Sequence, residues 1–463
     1  MCPLFSPFVL LILFVGPMFL LCSAFTVKFE PTALTVHMHT TEAANLTLEG
    51  LPALSASSYL RILSDNEKLA QVSKEIQPSE IVDGRWSGSF EVNGIFLGNA
   101  NIYVELYQPN VNPERGSETL PLTIIRENRA IDHAFTGSVA LLVALLYINF
   151  GAALDLKKLK GIVRKPIGPI IGFCGQFIVM PLLGFGLGYL IFPDSVEMQL
   201  GIFFTGCSPA GGASNIWTVI LGGNMDLSIT MTSISTIAAF GMMPLWIFTL
   251  GKVIFDRGSL EVPYSNLATY VVALIVPLAL GLLIQRYLPR VSNILVRILK
   301  PLSILLILFI VIFAIVTNLY LFELFSWQII LAGLGLPWLG YVIGYLVAGI
   351  LGQNHKDRLA IGLETGIQNT GISIFLLRFA LPQPQADLTT VVPVSVAIMT
   401  PVPLLVYYVI LKIHECMAKD RQEALIDGRD ISGSIEHGKD SAIISDQLSK
   451  YDAVAEGENN KDR

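Results

Sequence analysis

The chain has 463 residues, 53% hydrophobic and only 14% charged, with a formal net charge of −6 and a mean hydropathy of +0.62. That balance lies outside the range of a soluble globular protein and reads as a polytopic membrane protein, with the bilayer as a partner and no nucleic acid. The six histidines, at positions 37, 39, 133, 355, 414 and 437, fall outside or at the edges of the apolar runs. No HExxH-type pair forms within the membrane, which argues against a zinc enzyme.

Residues 1–24 contain the apolar run from Phe8 to Leu21 and end in Cys22-Ser23-Ala24, small residues suited to signal-peptidase cleavage, although no basic residue precedes the run. A cleaved signal peptide is expected, with an uncleaved anchor as the alternative. Residues 25–130 change character. The stretches 58–63, 89–92 and 101–106 alternate or nearly alternate apolar and polar, broken by Asn, Gly and Pro turns. This predicts a small all-β, sandwich-like domain on the extracellular side. The cysteines are Cys2, Cys22, Cys174, Cys207 and Cys416, so this domain folds without disulfides. Asn45-Leu46-Thr47 is a glycosylation acceptor that an exported domain would expose. The domain is expected to be a separate unit that transport does not require, and its partner is unnamed.

From Asp132 onward the chain is a succession of apolar segments near the ~20 residues that a spanning helix requires. Nine are expected, near 134–154, 168–192, 198–221, 227–250, 266–286, 300–322, 328–351, 357–380 and 388–412. Lys157, Lys158, Lys160, Arg164 and Lys165 follow the first, Arg286, Arg290, Arg297 and Lys300 surround the turn after the fifth, and Lys356 and Arg358 follow the seventh. These loops belong in the cytoplasm; the loop with Lys252 and Arg257 is an exception. The result is a multi-pass plasma-membrane protein with residues 131–415 in the bilayer and the C-terminus inside. Residues 416–463 read as a disordered cytoplasmic tail.

Two spans carry breaks. The third contains Gly206-Cys-Ser-Pro-Ala-Gly-Gly-Ala-Ser-Asn215, where Pro209 removes a backbone donor and Gly211 and Gly212 weaken the helix. The eighth contains Glu364-Thr-Gly-Ile-Gln-Asn369. A carboxylate at mid-span costs about 2.5 to 3.5 kcal/mol on insertion scales, so it faces a cavity, an ion or a partner. Two glycine-interrupted, polar segments five spans apart point to an inverted-repeat secondary transporter with its site at the midplane. Ser214 and Asn215 end the first break, Ser228 and Thr232 share one face of the fourth span, and Gln176 follows Gly175 in the second. Such oxygens, with Glu364, Gln368 and freed carbonyls, suit a sodium ion. A buried polar cluster that only holds helices together, and glycines that only pack helices, remain open alternatives.

These motifs, with Gly175-Gln-Phe-Ile-Val-Met-Pro181 and Leu227-Ser-Ile-Thr-Met-Thr-Ser-Ile-Ser-Thr236, resemble the bile acid:sodium symporter family over about residues 130 to 415. The resemblance implies a core domain and a panel domain, with two discontinuous helices crossing in the core. It also implies two sodium ions as coupling ions, with no other cofactor. By motif, the first sodium site would use Ser214, Asn215, Ser228, Thr232 and Glu364. The second would use Gln176, Glu364 and Gln368 with the carbonyls of Thr365 and Ile367, and Asn369 would meet the substrate at the crossing. The long N-terminal extension looks like that of the orphan members. The expected function is sodium-coupled symport of an amphipathic organic anion of the bile acid or sulfated steroid class. The alternative is a non-transporting receptor or regulator that works through its outer domain. No nucleophile is paired with a base, so an enzyme is not expected.

Overall fold

The computed structural model describes residues 25–127, 130–153, 166–258, 260, 262–317 and 324–432. The expected signal peptide, the basic stretch 157–165 and the tail from residue 433 lie outside the described residues. The N-terminal region is built from ten strands: β1 Thr26–Glu30, β2 Leu34–His37, β3 Thr41–Glu49, β4 Tyr59–Ser64, β5 Ala70–Gln71, β6 Lys74–Ile76, β7 Arg85–Gly94, β8 Gly98–Tyr107, β9 Glu114–Arg115 and β10 Leu120–Ile125. They form one sheet in the order β1-β3-β7-β5 and another in the order β2-β10-β8-β4-β6, with β9 beside β8. Only β10 and β2 run parallel among these pairings.

Alternation explains the pairing. In β4, Leu60 and Ile62 are buried while Arg61 is exposed, and β8 buries Ile102, Val104 and Leu106 on the same principle. Val27, Leu46, Leu48 and Val92 of the first sheet share one core with Leu60, Ile62, Ile102, Val104, Leu122 and Ile124 of the second. The three strand stretches expected from the sequence fall on β4, β7 and β8. Asn45 lies exposed on β3.

The rest is helical: α1 Ala130–Ala153, α2 Ile167–Cys174, α3 Met180–Ile191, α4 Val196–Cys207, α5 Ala213–Ile220, α6 Met225–Trp246, α7 Lys252–Arg257, α8 Tyr264–Tyr287, α9 Pro289–Thr317, α10 Trp327–Ile350, α11 His355–Gly366, α12 Thr370–Ala380, α13 Gln385–Leu388, α14 Val391–Met399 and α15 Pro401–Ser432. A π-helical turn, Gly175–Val179, joins α2 to α3, and another, Ile247–Gly251, joins α6 to α7. Among the described residues, four helical stretches are long and apolar enough to cross a membrane: Ile167–Ile191, Met225–Arg257, Trp327–Ile350 and Gln385–Met417. Shorter apolar helices are Gly137–Ala153, Val272–Tyr287 and Thr370–Ala380.

The described residues from Pro401 to Ser432 belong to a unit separate from the rest. There α15 runs to Ser432, so residues 416–432 are helical where the sequence predicts disorder. Their composition explains this: Met417-Ala-Lys-Asp-Arg-Gln-Glu-Ala-Leu425 is dominated by strong helix formers.

Candidate functional site

Two helices are interrupted, and the interruptions meet. α4 stops at Cys207, Ser208 turns extended, and the helix resumes as α5 at Ala213. α11 stops at Gly366 and resumes as α12 at Thr370. Unwound backbone that is buried must find hydrogen-bond partners within the protein. Each break supplies them to the other: the Gly211 amide donates to the Ile367 carbonyl at 2.8 Å, and the Asn369 amide donates to the Pro209 carbonyl at 2.9 Å. Ala210 and Gln368 thus form a one-residue antiparallel bridge. Gly211 is required for this approach, since a Cβ there would lie 2.9 Å from the Gln368 carbonyl oxygen. Gly366 instead makes room for a neighbouring helix, because a Cβ there would drive into the Tyr341 ring of α10. Both readings of the glycines therefore hold, at different positions.

Glu364, on the last turns of α11 and 2% exposed, sits beside the crossing. Its Oε2 accepts from Ser214 Oγ at 2.7 Å, and its Oε1 accepts from Thr232 Oγ1 at 2.6 Å. Ser228 Oγ lies 3.2 Å from Glu364 Oε2 and 3.0 Å from Asn215 Oδ1, and its single proton serves one of them at a time. Thr232 has the same shortage, because the Ser228 carbonyl is also within 3.0 Å of its hydroxyl. Asn215 Nδ2 donates to Thr232 Oγ1 at 3.1 Å. All five residues assigned to the first sodium site are thus brought together. The cluster holds more oxygen lone pairs than protons to meet them, which is the donor set a small hard cation takes.

The second group is smaller. Gln176, 1% exposed, lies in the π turn, whose widened register turns its amide toward the break. Its Nε2 donates to the Ser208 carbonyl at 2.6 Å and to Gln368 Oε1 at 2.7 Å. Gln368 Nε2 in turn donates to the Thr365 carbonyl at 2.7 Å. Gln176 Oε1 is buried and accepts no hydrogen bond among the described residues. The backbone carbonyls expected as ligands, of Thr365 and Ile367, accept from Gln368 Nε2 and from the Gly211 amide. Asn369 caps α12, its side chain accepting from the Ile372 amide at 3.2 Å, and is half-buried at the crossing.

The profile of the Sodium Bile acid symporter family matches residues 140–323. The ileal sodium/bile acid cotransporter of Homo sapiens is 32% identical over 275 residues, covering 58% of this chain and 77% of that protein. That of Oryctolagus cuniculus is 37% identical over 237 residues, covering 50% of this chain and 66% of the relative. The chain belongs to the sodium bile acid symporter family. The P3 protein of Homo sapiens is 33% identical over 261 residues, 56% of this chain, and the match spans only about half, 54%, of that relative.

Membership makes this a membrane protein of a transporter family rather than an enzyme. The residues matched to the symporter family take in Gln176, Ser214, Asn215, Ser228 and Thr232, whereas Glu364, Thr365, Gln368 and Asn369 lie beyond them. Structure adds residues that sequence reasoning missed. Thr218 is fully buried and reaches both the Ser214 carbonyl (2.8 Å) and Ser228 Oγ (3.3 Å). Its spacing of four from Ser214 was a legible signal. The Ser235 hydroxyl accepts from the Ala210 amide at 2.9 Å and so props the break. Asp387 is also fully buried, so Glu364 is not alone as a buried carboxylate. It pairs with Arg378 and Arg126.

Proposed function

We propose that this protein is a sodium-coupled secondary active symporter of an amphipathic organic anion of the bile acid or sulfated steroid class. It works in the plasma membrane as a multi-pass protein of nine spans in inverted repeats. The β domain, residues 25–130, lies outside after removal of the signal peptide, and the C-terminus lies in the cytoplasm. The observation that carries the reading is the convergence of Ser214, Asn215, Ser228 and Thr232 on Glu364 beside two unwound segments. A carboxylate this deep carries a cost that a neutral polar side chain would avoid, so its presence among these oxygens supports a cation ligand rather than helix glue.

Two sodium ions are cargo in this scheme. One takes Glu364 and its hydroxyl neighbours, with Asn215 Oδ1. The other takes Gln176, Gln368, Glu364 and the carbonyls of Thr365 and Ile367, and the orphaned Gln176 Oε1 supports it. Because the crossing segments depend on one another for backbone partners, ion occupancy at either site bears on the position of Asn369, where the anion binds. The names of the ileal relatives support the substrate class. Uptake of a labelled anion panel by cells expressing the full chain, with sodium and with choline replacing it, tests the reading. Sodium-dependent accumulation of at least one anion is expected; sodium-independent uptake of every anion would overturn it.

A further inference from the structure

The far end of α12 is held by charges that the sodium sites do not use. Asp387, in α13, is completely buried, and its two carboxylate oxygens face two arginines. Oδ1 lies 3.1 Å from Nη2 of Arg378, in the last turn of α12, and Oδ2 lies 3.4 Å from Nε of Arg126. The two arginine side chains are only 10% and 8% exposed, and both make further contacts. Removing Asp387 takes the shared carboxylate from two buried arginines, and removing either arginine takes one of its two charged neighbours from Asp387, so a buried cluster of this kind resists being pulled apart.

Each partner is itself anchored. Arg126 directly follows β10, which lies between β2 and β8 inside its sheet, and the Met38 amide donates to the carbonyl of Ile125 at 2.8 Å. Asn266 of α8 donates to the carbonyl of Ala380, the last residue of α12, at 3.1 Å. At its other end α12 begins from Asn369, whose amide is bonded to Pro209 in the crossing. The 11-residue helix is thus a short strut with the ion cluster at one end and the crossing at the other. A shift at Asp387 reaches Gln368 and Asn369 with no loop between to absorb it.

We propose that Arg126, Asp387 and Arg378 form a clamp through which the N-terminal β domain sets the position of α12. They are positioning residues for the crossing, and the β domain is a working part of the transporter rather than a separable attachment. The transport consequence rests on the symporter reading; the mechanical one does not.

Two measurements on the full chain separate these. In the first, hydrogen exchange is followed by mass spectrometry on purified protein carrying Arg126→Gln, Asp387→Asn or both. Amides of residues 370–380 should exchange about tenfold faster in each single variant. Those of the β strands should be unchanged, and the double variant should be no faster than the faster single, as expected of partners in one cluster. Unchanged exchange in 370–380 in both single variants, or acceleration spread evenly over all helices, overturns the clamp. In the second, sodium half-saturation of uptake is measured at matched surface expression. Arg126→Gln and Asp387→Asn should raise it several-fold, Arg126→Lys should restore it largely, and Lys28→Gln, on an exposed face of β1, should leave it unchanged. Normal half-saturation in both cluster variants overturns the link to the crossing. A wild-type chain with no sodium-dependent uptake would defeat the symporter reading while leaving the exchange result to decide the clamp. Should Asp387→Asn fail to reach the surface, the Arg126→Gln and Arg126→Lys pair carries both tests.

Discussion

Glu364 draws its hydrogen bonds from Ser214, Ser228 and Thr232, which sit on two different helices, α5 and α6. Hydrogen bonds to a charged group are worth roughly 1.5 to 3 kcal/mol each, so the arrangement is stable without an ion and strained in its proton count. Glu364→Gln keeps the shape but removes the charge that a sodium ion would neutralise in the proposed site. It should reduce sodium-driven accumulation by about a hundredfold or more, equivalent to ~2.7 kcal/mol, at normal surface expression. Asn215→Ala should act in the same direction, since Oδ1 and Nδ2 tie Ser228 to Thr232. Unchanged accumulation in either variant would remove the assignment. Gly211→Ala probes the crossing instead: its new methyl must displace the Gln368 carbonyl, so both transport and the thermal midpoint should fall.

At the scale of elements, the β domain and the broken helices obey different rules. The strands bury a shared core within residues 25–125 and contain no cysteine. A fragment of residues 25–127 should therefore give a cooperative thermal transition and strand-rich circular dichroism, insensitive to reducing agent; a disordered spectrum would contradict this. Asn45 stands exposed on β3, so in an exported domain it should carry glycan. A mobility shift on glycosidase treatment, lost in Asn45→Gln, checks both the modification and the side of the membrane. The broken helices cannot be tested in isolation, because each interruption draws backbone partners from the other. The same holds for the π turn at Gln176, where the Trp246 indole of α6 donates to the Phe177 carbonyl at 2.7 Å.

For the whole molecule, the proposed stoichiometry has an electrical consequence. Two sodium ions entering with one monovalent anion move one net positive charge per cycle. Each tenfold sodium gradient supplies about 1.4 kcal/mol per ion. A potential near 60 mV adds roughly 1.4 kcal/mol for the net charge. The sum, about 4 kcal/mol, supports accumulation on the order of a thousandfold. Uptake should show a sodium Hill coefficient above one and an inward current under voltage clamp. A divalent anion should be carried without current. A Hill coefficient of one with a monovalent substrate would remove the second sodium site.

What the sequence determined by itself is what depends on neighbours a few residues apart. Pro209 beside Gly211 and Gly212 weakens a helix locally, alternation writes the strands, and a spacing of four puts Ser228 and Thr232 on one face. Thr218, on the same spacing from Ser214, was legible too and was missed only for want of a motif. What the tertiary structure alone decided depends on residues far apart in the chain. The bond from Gly211 to Ile367 and the gathering of α5 and α6 hydroxyls on Glu364 come from packing. So does the division of glycines between the crossing and the α10 contact. The burial of Asp387 between Arg126 and Arg378 is the clearest case. Arg126 follows a strand, Arg378 ends one helix and Asp387 lies in the next short one, so nothing local in the sequence pairs them. Only the fold removes the water, and with it the screening that would have made the cluster weak.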